Sequence, residues 1–411
     1  MKMQSSSSPR KFSFNDLVLT PDSPKIPYHR RSDESKKAIH WGQRKLLISE
    51  IEFFTLHWDR ELIPSPICVY AGSAPGIHIP FLSSLFPDIE FHLYDPARFE
   101  IKETDKIKLF NQYFTDDVAK HYSGRNDIFF ISDIRTSNNR AKFLDLLEKN
   151  GYNKFDRHGN PIGPRYVLDK LEREANILNE DQIWGDMNMQ QQWVLLMNPE
   201  HALLKFRLPY SFDGSERKLK YLTGIVYWQV WPGPTSTEAR LKPVKNSQGK
   251  YELGNWSNLE YEQWGFYHNT VEREQFFYLN PFFNNTDAID YPELLNDYDS
   301  TAEAYILSLY ATSQGLSENI EVYQTVKMIS SSITLALNVN KSVYNAISLS
   351  KKRKYGNPIR PLLTPRRPKS QQPPRSPRRV IVQSTSTRQP PTTGEYIHTQ
   401  VRNDSSWRQN L

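Results

Sequence analysis

Apolar positions first recur at helical spacing in WGQRKLLISEIEFFTLHWDREL, where Leu47, Ile51, Phe54 and Trp58 fall at steps of four, three and four. That is the stripe of an amphipathic helix. Gln43 and Lys45 lie in its first turn, and a cation there opposes the helix dipole, so Lys45 is singled out as a residue with another task. Downstream the period changes: SPICVYAG reads as a strand, GIHIPFLSSLF as a helix, IEFHLYD as a second strand and DIFFISDIR as a third. Short apolar runs ending in small or acidic residues are the pattern of parallel strands buried on both faces, whose carboxyl ends line a ligand crevice. A doubly wound α/β sheet is predicted. ALLKFRLP is a further strand-like run interrupted by Lys205, and TGIVYWQVWPGPTSTEARLKPV reads as two strands around a Pro-Gly-Pro turn with Glu238 on the second. They form an antiparallel pair near the C-terminal end of the sheet.

The turn after the first strand carries candidate chemistry. In VYAGSAPG the glycines let a backbone turn approach a ligand closely between strand and helix, and Asp95 closes the next strand about 20 residues later, a spacing that suits ribose hydroxyls. The turn lacks the Lys-Ser/Thr pair of a phosphate-binding loop and the full dinucleotide fingerprint, so neither NTP hydrolysis nor NAD chemistry is supported. Lys205 and Glu238 are charges inside apolar strands and need partners. A structural ion pair between them and a functional site both satisfy that need.

Composition narrows the class. With 411 residues, 38% hydrophobic and 24% charged, the chain can bury one large or two ordinary cores. Its one cysteine, Cys68, excludes an internal disulfide and a Cys-rich zinc module, which points to a reducing compartment. The start MKMQSSSSPRKF has no apolar core and no window reaches about 18 consecutive apolar residues, so a soluble protein without membrane contact is expected. Residues 351–411 hold 14 Lys/Arg against Glu395 and Asp404, a local balance of +12 that leaves −6 on residues 1–350 of a chain at +6. This Pro/Ser-rich tail has no helical or strand period and reads as a disordered polycation that contacts RNA, or serves as an address. Residues 1–40 read as a second flexible arm, with the ordered body over 41–350.

Taken together, WGQRKLL before a helix, VYAGSAPG before a His-containing helix start, FFISDIR, MNP ahead of ALLKFRLP, TSTEARL, and FFYLN at Tyr278 resemble, in order and approximate spacing over residues 40–340, a known family. It is the poxvirus cap-specific mRNA nucleoside 2′-O-methyltransferases, which double as stimulatory subunits of the viral poly(A) polymerase. The divergence implies a relative from another large DNA virus. The resemblance implies a Rossmann-like S-adenosylmethionine-dependent methyltransferase fold, and a catalytic set of Lys45, Asp133, Lys205 and Glu238. It implies a cofactor site from Gln43, Tyr70, Gly72, Ser73, Ala74, Pro75, Gly76, Asp95, Arg98 and Asp133. Cap-binding candidates by position are Tyr28, Tyr210, Asp213 and Glu272. The implied substrate is capped mRNA, methylated on the first transcribed nucleotide, with a poly(A) polymerase catalytic subunit as a further partner and no metal. The implied location is the host cytoplasm and the virion. Two departures stand out: Asp95-Pro96-Ala97-Arg98 is one residue longer than the family pattern, and the stretch between Asp133 and Lys205 is longer, an insertion at about 136–190. A lysine base must be neutral, about three units below its ordinary value of about 10.4. Lys205 is therefore assigned as base, Lys45 as the neighbouring cation, Asp133 as orienter on the methyl side and Glu238 as orienter of both lysines. A non-catalytic RNA clamp for a polymerase and a methyltransferase acting on internal RNA sites remain as competing readings.

Overall fold

Parallel strands feeding a single crevice account for where chemistry can occur in this chain. The computed structural model describes residues 12–29, 41–135, 139–156, 161–175, 180–211, 214–233, 236–275 and 298–337. The strands are β1 (Val18–Leu19), β2 (Ile67–Ala71), β3 (Glu90–Tyr94), β4 (Ile107–Phe110), β5 (Ile128–Ser132), β6 (His201–Phe206), β7 (Lys218–Leu222), β8 (Gly224–Trp228), β9 (Ala239–Pro243) and β10 (Leu253–Ser257). The helices are α1 (Gly42–His57), α2 (Ile79–Leu85), α3 (Asp116–His121), α4 (Asn139–Lys149), α5 (Arg165–Ala175), α6 (Glu180–Met197), α7 (Asn258–Tyr267), α8 (Arg273–Gln275), α9 (Tyr298–Ser313) and α10 (Asn319–Ala336). A π-helical turn, His268–Glu272, joins α7 to α8.

The main sheet runs β1-β8-β9-β6-β5-β2-β3-β4. From β4 to β6 it is parallel, and β9, β8 and β1 are added antiparallel. The fold is thus α/β with a mostly parallel sheet and an antiparallel hairpin, β8–β9, as in Rossmann-like methyltransferases. The chain steps outward from β2 to β3 and β4, then returns to place β5 on the other side of β2. Open sheets have their crevice at such a reversal, at the carboxyl ends of the strands. Helices α1, α2, α9 and α10 cover one face through a core of Leu47, Ile51, Phe54, Tyr70, Leu307 and Val326. Helices α3 and α6 and the β7–β10 ribbon cover the other through Val69, Ala71, Phe130, Trp193 and Tyr221. Val69 and Tyr70 going to opposite faces is the two-residue period of a strand buried on both sides.

Two expectations are corrected here. Residues 12–29 are packed rather than forming part of a flexible arm: Phe12, Leu17 and Val18 are buried, and Val18 pairs with Tyr227 and Leu19 with Val226. Without β1, strand β8 would present unpaired donors and acceptors at a sheet edge, and the apolar run around Leu17 covers them. Residues 1–11, 30–40 and the 351–411 tail lie outside the described residues. Glu238, expected on a strand, immediately precedes β9. The segment at 136–190 contributes α4, α5 and the start of α6.

At the end of the sheet away from the crevice, His57 and His201 are packed with their rings 6.0 Å apart, and His57 Nε2 lies 2.9 Å from the Tyr227 hydroxyl. Burial, helped by Lys242 and Lys245, pushes His201 from 6.5 down to about 3, and burial with Lys242 holds His57 well below the histidine range. Both folded values lie below the unfolded one, so the unfolded chain binds more protons between them. Stability is fully present above pH 6.5 and falls as pH drops toward 3. For His201 alone the loss should approach about 1.4 kcal/mol per pH unit. Urea unfolding at pH 7, 6, 5 and 4 should report it, and His201→Gln should reduce the slope; an equal slope in that variant would exclude the histidine as its source.

Candidate active site

Each functional side chain is delivered to the crevice by a different element. Lys45 comes from the first turn of α1, Asp133 from the residue after β5, Lys205 from β6 and Glu238 from the residue before β9. They converge. Lys205 Nζ lies 3.0 Å from Asp133 Oδ1 and 3.6 Å from Glu238 Oε2, and Lys45 Nζ donates to Glu238 Oε1. The exposed Arg135 stands 3.8 Å from Glu238 Oε2. The backbone is matched to this: Asp133 N–H donates to the Ala71 carbonyl at 2.9 Å, which holds the ends of β2 and β5 together.

A fifth charge completes the cluster, and sequence reasoning missed it. Arg240 on β9 is 2% exposed; its Nη2 donates to Asp133 Oδ1 at 2.7 Å and its Nη1 to the Ser132 carbonyl at 3.3 Å. Gln229, with its amide oxygen toward Arg240, accepts from Nε at 2.6 Å and donates to Glu238 Oε1 at 3.1 Å. The signal was present in TSTEARL: Arg240 follows Glu238 by two residues, so along an extended segment both point to one face.

The electrostatics follow from this arrangement. Burial works to raise the Glu238 carboxyl, but Lys205, Lys45 and Arg240 overcome it and hold it well below the carboxylate range. Asp133 is lowered in the same way, with Lys205 and Arg240 outweighing burial. Lys45 is pulled below the usual lysine value by burial, with Arg240 and Lys205 adding, against Glu238 and Asp133. Arg240 is raised above its ordinary value: burial opposes its charge and the two carboxylates more than restore it. Positive charge on Arg240 is thus reinforced by the two carboxylates, whereas Lys45, expected to be the cation beside Lys205, is itself weakened as one.

The glycine turn lies beside the cluster. Gly72 has φ +79°, and a Cβ there would come within 2.7 Å of the Ile134 backbone nitrogen. Only glycine lets this turn lie against the segment after β5. Gly76 is also left-handed, at φ +74°. Asp95, at the end of β3, takes the Ala74 N–H on Oδ2 at 3.1 Å and the Ala97 N–H on Oδ1 at 2.8 Å, so the turn and the acid are held as one unit. Ser73 is buried and Arg98 is exposed. Tyr70 is corrected as a cofactor side chain: it is 1% exposed and its hydroxyl donates to Glu50 Oε1 at 2.8 Å, under α1. Glu50 Oε1 lies 3.1 Å from Nε2 of the buried His78, whose Nδ1 is 2.7 Å from Gln43 Oε1. This row ties the expected cofactor residue Gln43 to the helix after the turn.

The cap candidates separate. Tyr210 follows β6; its hydroxyl pairs with Thr237 Oγ1 at 2.8 Å, and Ser211 N–H donates to Glu262 Oε2 at 3.2 Å. Tyr28 is exposed, with its ring edge-on to Phe266 at 5.2 Å, and Phe266 lies one helical turn after Glu262 on α7. Tyr28 thus meets this helix at Phe266, and the residue after Tyr210 meets it one turn earlier, at Glu262. Glu272 does not join them. It is ten residues further along, at the end of the π-helical turn, with its Oε2 3.0 Å from His268 Nδ1. It lines a separate hollow of about 290 Å³ beneath Trp264 and residues 15–24. Glu262, which position along the chain had not singled out, is the acid beside the residue after Tyr210. Asp213 lies outside the described residues.

Comparison with known proteins agrees with this architecture. A family model described as poly A polymerase regulatory subunit matches residues 9–154. The chain is 24% identical, over 278 residues covering 63% of it and 75% of the relative, to the cap-specific mRNA (nucleoside-2′-O-)-methyltransferase of Fowlpox virus (strain NVSL). On both counts the chain is similar to poxvirus-type proteins. The matched family model ends between Asp133 and Lys205, so it includes Lys45, the glycine turn, Asp95 and Asp133 but not Lys205, Glu238 or Arg240. Among the described residues no group of three or more His, Cys, Asp and Glu could hold a metal, and no helix is long and apolar enough to cross a membrane.

Proposed function

We propose that this chain transfers a methyl group from S-adenosylmethionine to the ribose 2′-hydroxyl next to the cap of an mRNA. The observation that carries the reading is the convergence of Lys45, Asp133, Lys205 and Glu238 at the carboxyl ends of β2 and β5, beside a turn that only glycine can make. The residues suit the cofactor: the glycine turn Gly72–Gly76 lies against Asp133 and Ile134 at the strand ends, Asp95 suits ribose hydroxyls, and Gln43 is tied to the helix after the turn through His78. When bound there, S-adenosylmethionine supplies an electrophilic methyl on a sulfonium.

The protein's own groups handle the acceptor. Lys205 lines the hollow next to Glu238 and α6, where an acceptor hydroxyl can reach Nζ, and in its neutral form it takes the hydroxyl proton. Asp133 and Glu238 fix that amine from two sides, and Arg240 holds Asp133 in place. Positive charge on Arg240, and on Lys45 to a lesser degree, favours the developing oxyanion, because preorganised charge acts strongly in a site shielded from water. Tyr28 and Tyr210 with Glu262 would form the slot for a methylated guanine, whose delocalised positive charge suits aromatic faces and a carboxylate. The basic 351–411 tail would add phosphate contacts.

The test is methyl transfer by the purified protein from a labelled donor to short RNAs that differ only in a methylated 5′ cap. Transfer confined to capped RNA is expected; equal transfer to uncapped RNA would favour an internal-site methyltransferase, and none to either would leave an RNA clamp. Glu262→Gln should weaken capped RNA by about tenfold while Glu272→Gln leaves it unchanged. The reverse ranking, read from KM, would move the cap slot to the hollow at Glu272. The match to a poly A polymerase regulatory subunit model favours a second role beside a polymerase, tested by whether the chain co-purifies with and lengthens the products of such an enzyme.

A further inference from the structure

The longer stretch between Asp133 and Lys205 leads into α6, and the first residue of that helix makes contacts outside the methyl-transfer cluster. Glu180 accepts from Arg207 Nη2 with both carboxylate oxygens, and its Oε2 also accepts from the backbone N–H of Tyr210 at 2.8 Å. The two side chains of the pair are 11% and 14% exposed. The Arg207 guanidinium carbon sits 4.1 Å from the centre of the Tyr210 ring, whose far end is tied to Thr237. One face of this tyrosine is therefore already covered by a cation, and a carboxylate stands on that cation.

We propose that Glu180 is a positioning residue that sets the specificity of the Tyr210 slot, fixing the ring and cancelling the Arg207 charge so that the ring's other face prefers a cationic purine to a neutral one. This rests on the reading of Tyr210 as a cap-slot aromatic. An uncompensated guanidinium on one face of a ring draws on the same π density that a second cation would use on the other face, and it repels that cation through space. With Glu180 in place, the Arg207–Glu180 pair is neutral overall and the ring stays available. Glu180 thus acts through Tyr210 rather than on a substrate.

Charge discrimination can be measured with 7-methylguanosine triphosphate and GTP, which carry the same triphosphate, so the ratio of their affinities cancels phosphate contacts. Wild-type protein should prefer the methylated nucleotide, and Glu180→Gln should lower that ratio by about tenfold with S-adenosylmethionine affinity unchanged. Adding Arg207→Gln to Glu180→Gln should restore most of the ratio, since no free cation then remains on the ring. A wild-type ratio in Glu180→Gln overturns the inference, as does a lost ratio that the double variant fails to recover, which would leave Glu180 as a mere anchor of the Tyr210 backbone. Wild-type protein with no preference overturns the cap reading itself, and this inference with it.

Discussion

Lys205→Met is expected to lower methyl transfer to capped RNA by about 10³-fold, the usual contribution of a positioned general base, while S-adenosylmethionine binds as before. Methionine keeps the length and apolar stem of the lysine, so β6 and its packing are preserved. What disappears is the one amine that stands between Asp133 and Glu238 and also lines the hollow next to α6. The turn Gly72–Gly76 and Asp95 directly follow β2 and β3, and the hydrogen bonds that join them do not involve Lys205. Calorimetric titration with S-adenosylmethionine should therefore match the wild type. Turnover within a few-fold of wild type would remove Lys205 from the base role and transfer attention to Lys45, whose burial already favours its neutral form.

The largest stability loss should come from Arg240→Met, about 3–5 kcal/mol in urea unfolding, because it leaves Asp133 without its guanidinium partner and takes a buried positive charge away from Glu238. Unlike Lys45 and Lys205, Arg240 cannot lose its proton under ordinary conditions. The acid response should change too. In the wild type the folded values of Asp133 and Glu238 are depressed, so their contribution is present above the ordinary carboxylate range and disappears as pH falls through those lowered values. Without Arg240 both carboxyls move up, and the loss should set in at a higher pH. A variant as stable as wild type, with the same acid midpoint, would mean that the guanidinium's burial costs as much as its contacts return.

Much of this site was legible before any coordinates. Lys45 stood out as a cation in a helix first turn, Lys205 and Glu238 as charges inside apolar strands, and the GSAPG turn with Asp95 as a strand-end pair. Such features can be read because each breaks a local rule. Arg240 was passed over although its two-residue offset from Glu238 carried the information. Glu262 could not be chosen over Glu272 by counting along the chain, since α7 continues through a π-helical turn into α8 and only the position of Ser211 shows which acid reaches the loop after β6. Helices α9 and α10 and the β7–β10 ribbon were not anticipated, and neither was the buried pair of Arg44 with Glu303 that ties α9 to α1. Nor was the packing of residues 12–29, because a two-residue strand such as β1 is too short to have a period.

The amino-acid order by itself determined the alternation of strands and helices, the mostly parallel sheet, and which unusual charges had to be explained, because hydrophobic period and local charge are properties of neighbours along the chain. The tertiary structure decided which of those charges meet: that Lys45 and Arg240 share Glu238 and Asp133 with Lys205, that Tyr70 turns into the core, and that Glu180 reaches Tyr210. Contacts between residues as far apart as Lys45 and Glu238 depend on strand order and on the reversal beside β2. That reversal is set by burying both faces of the sheet together, which no local window of sequence encodes.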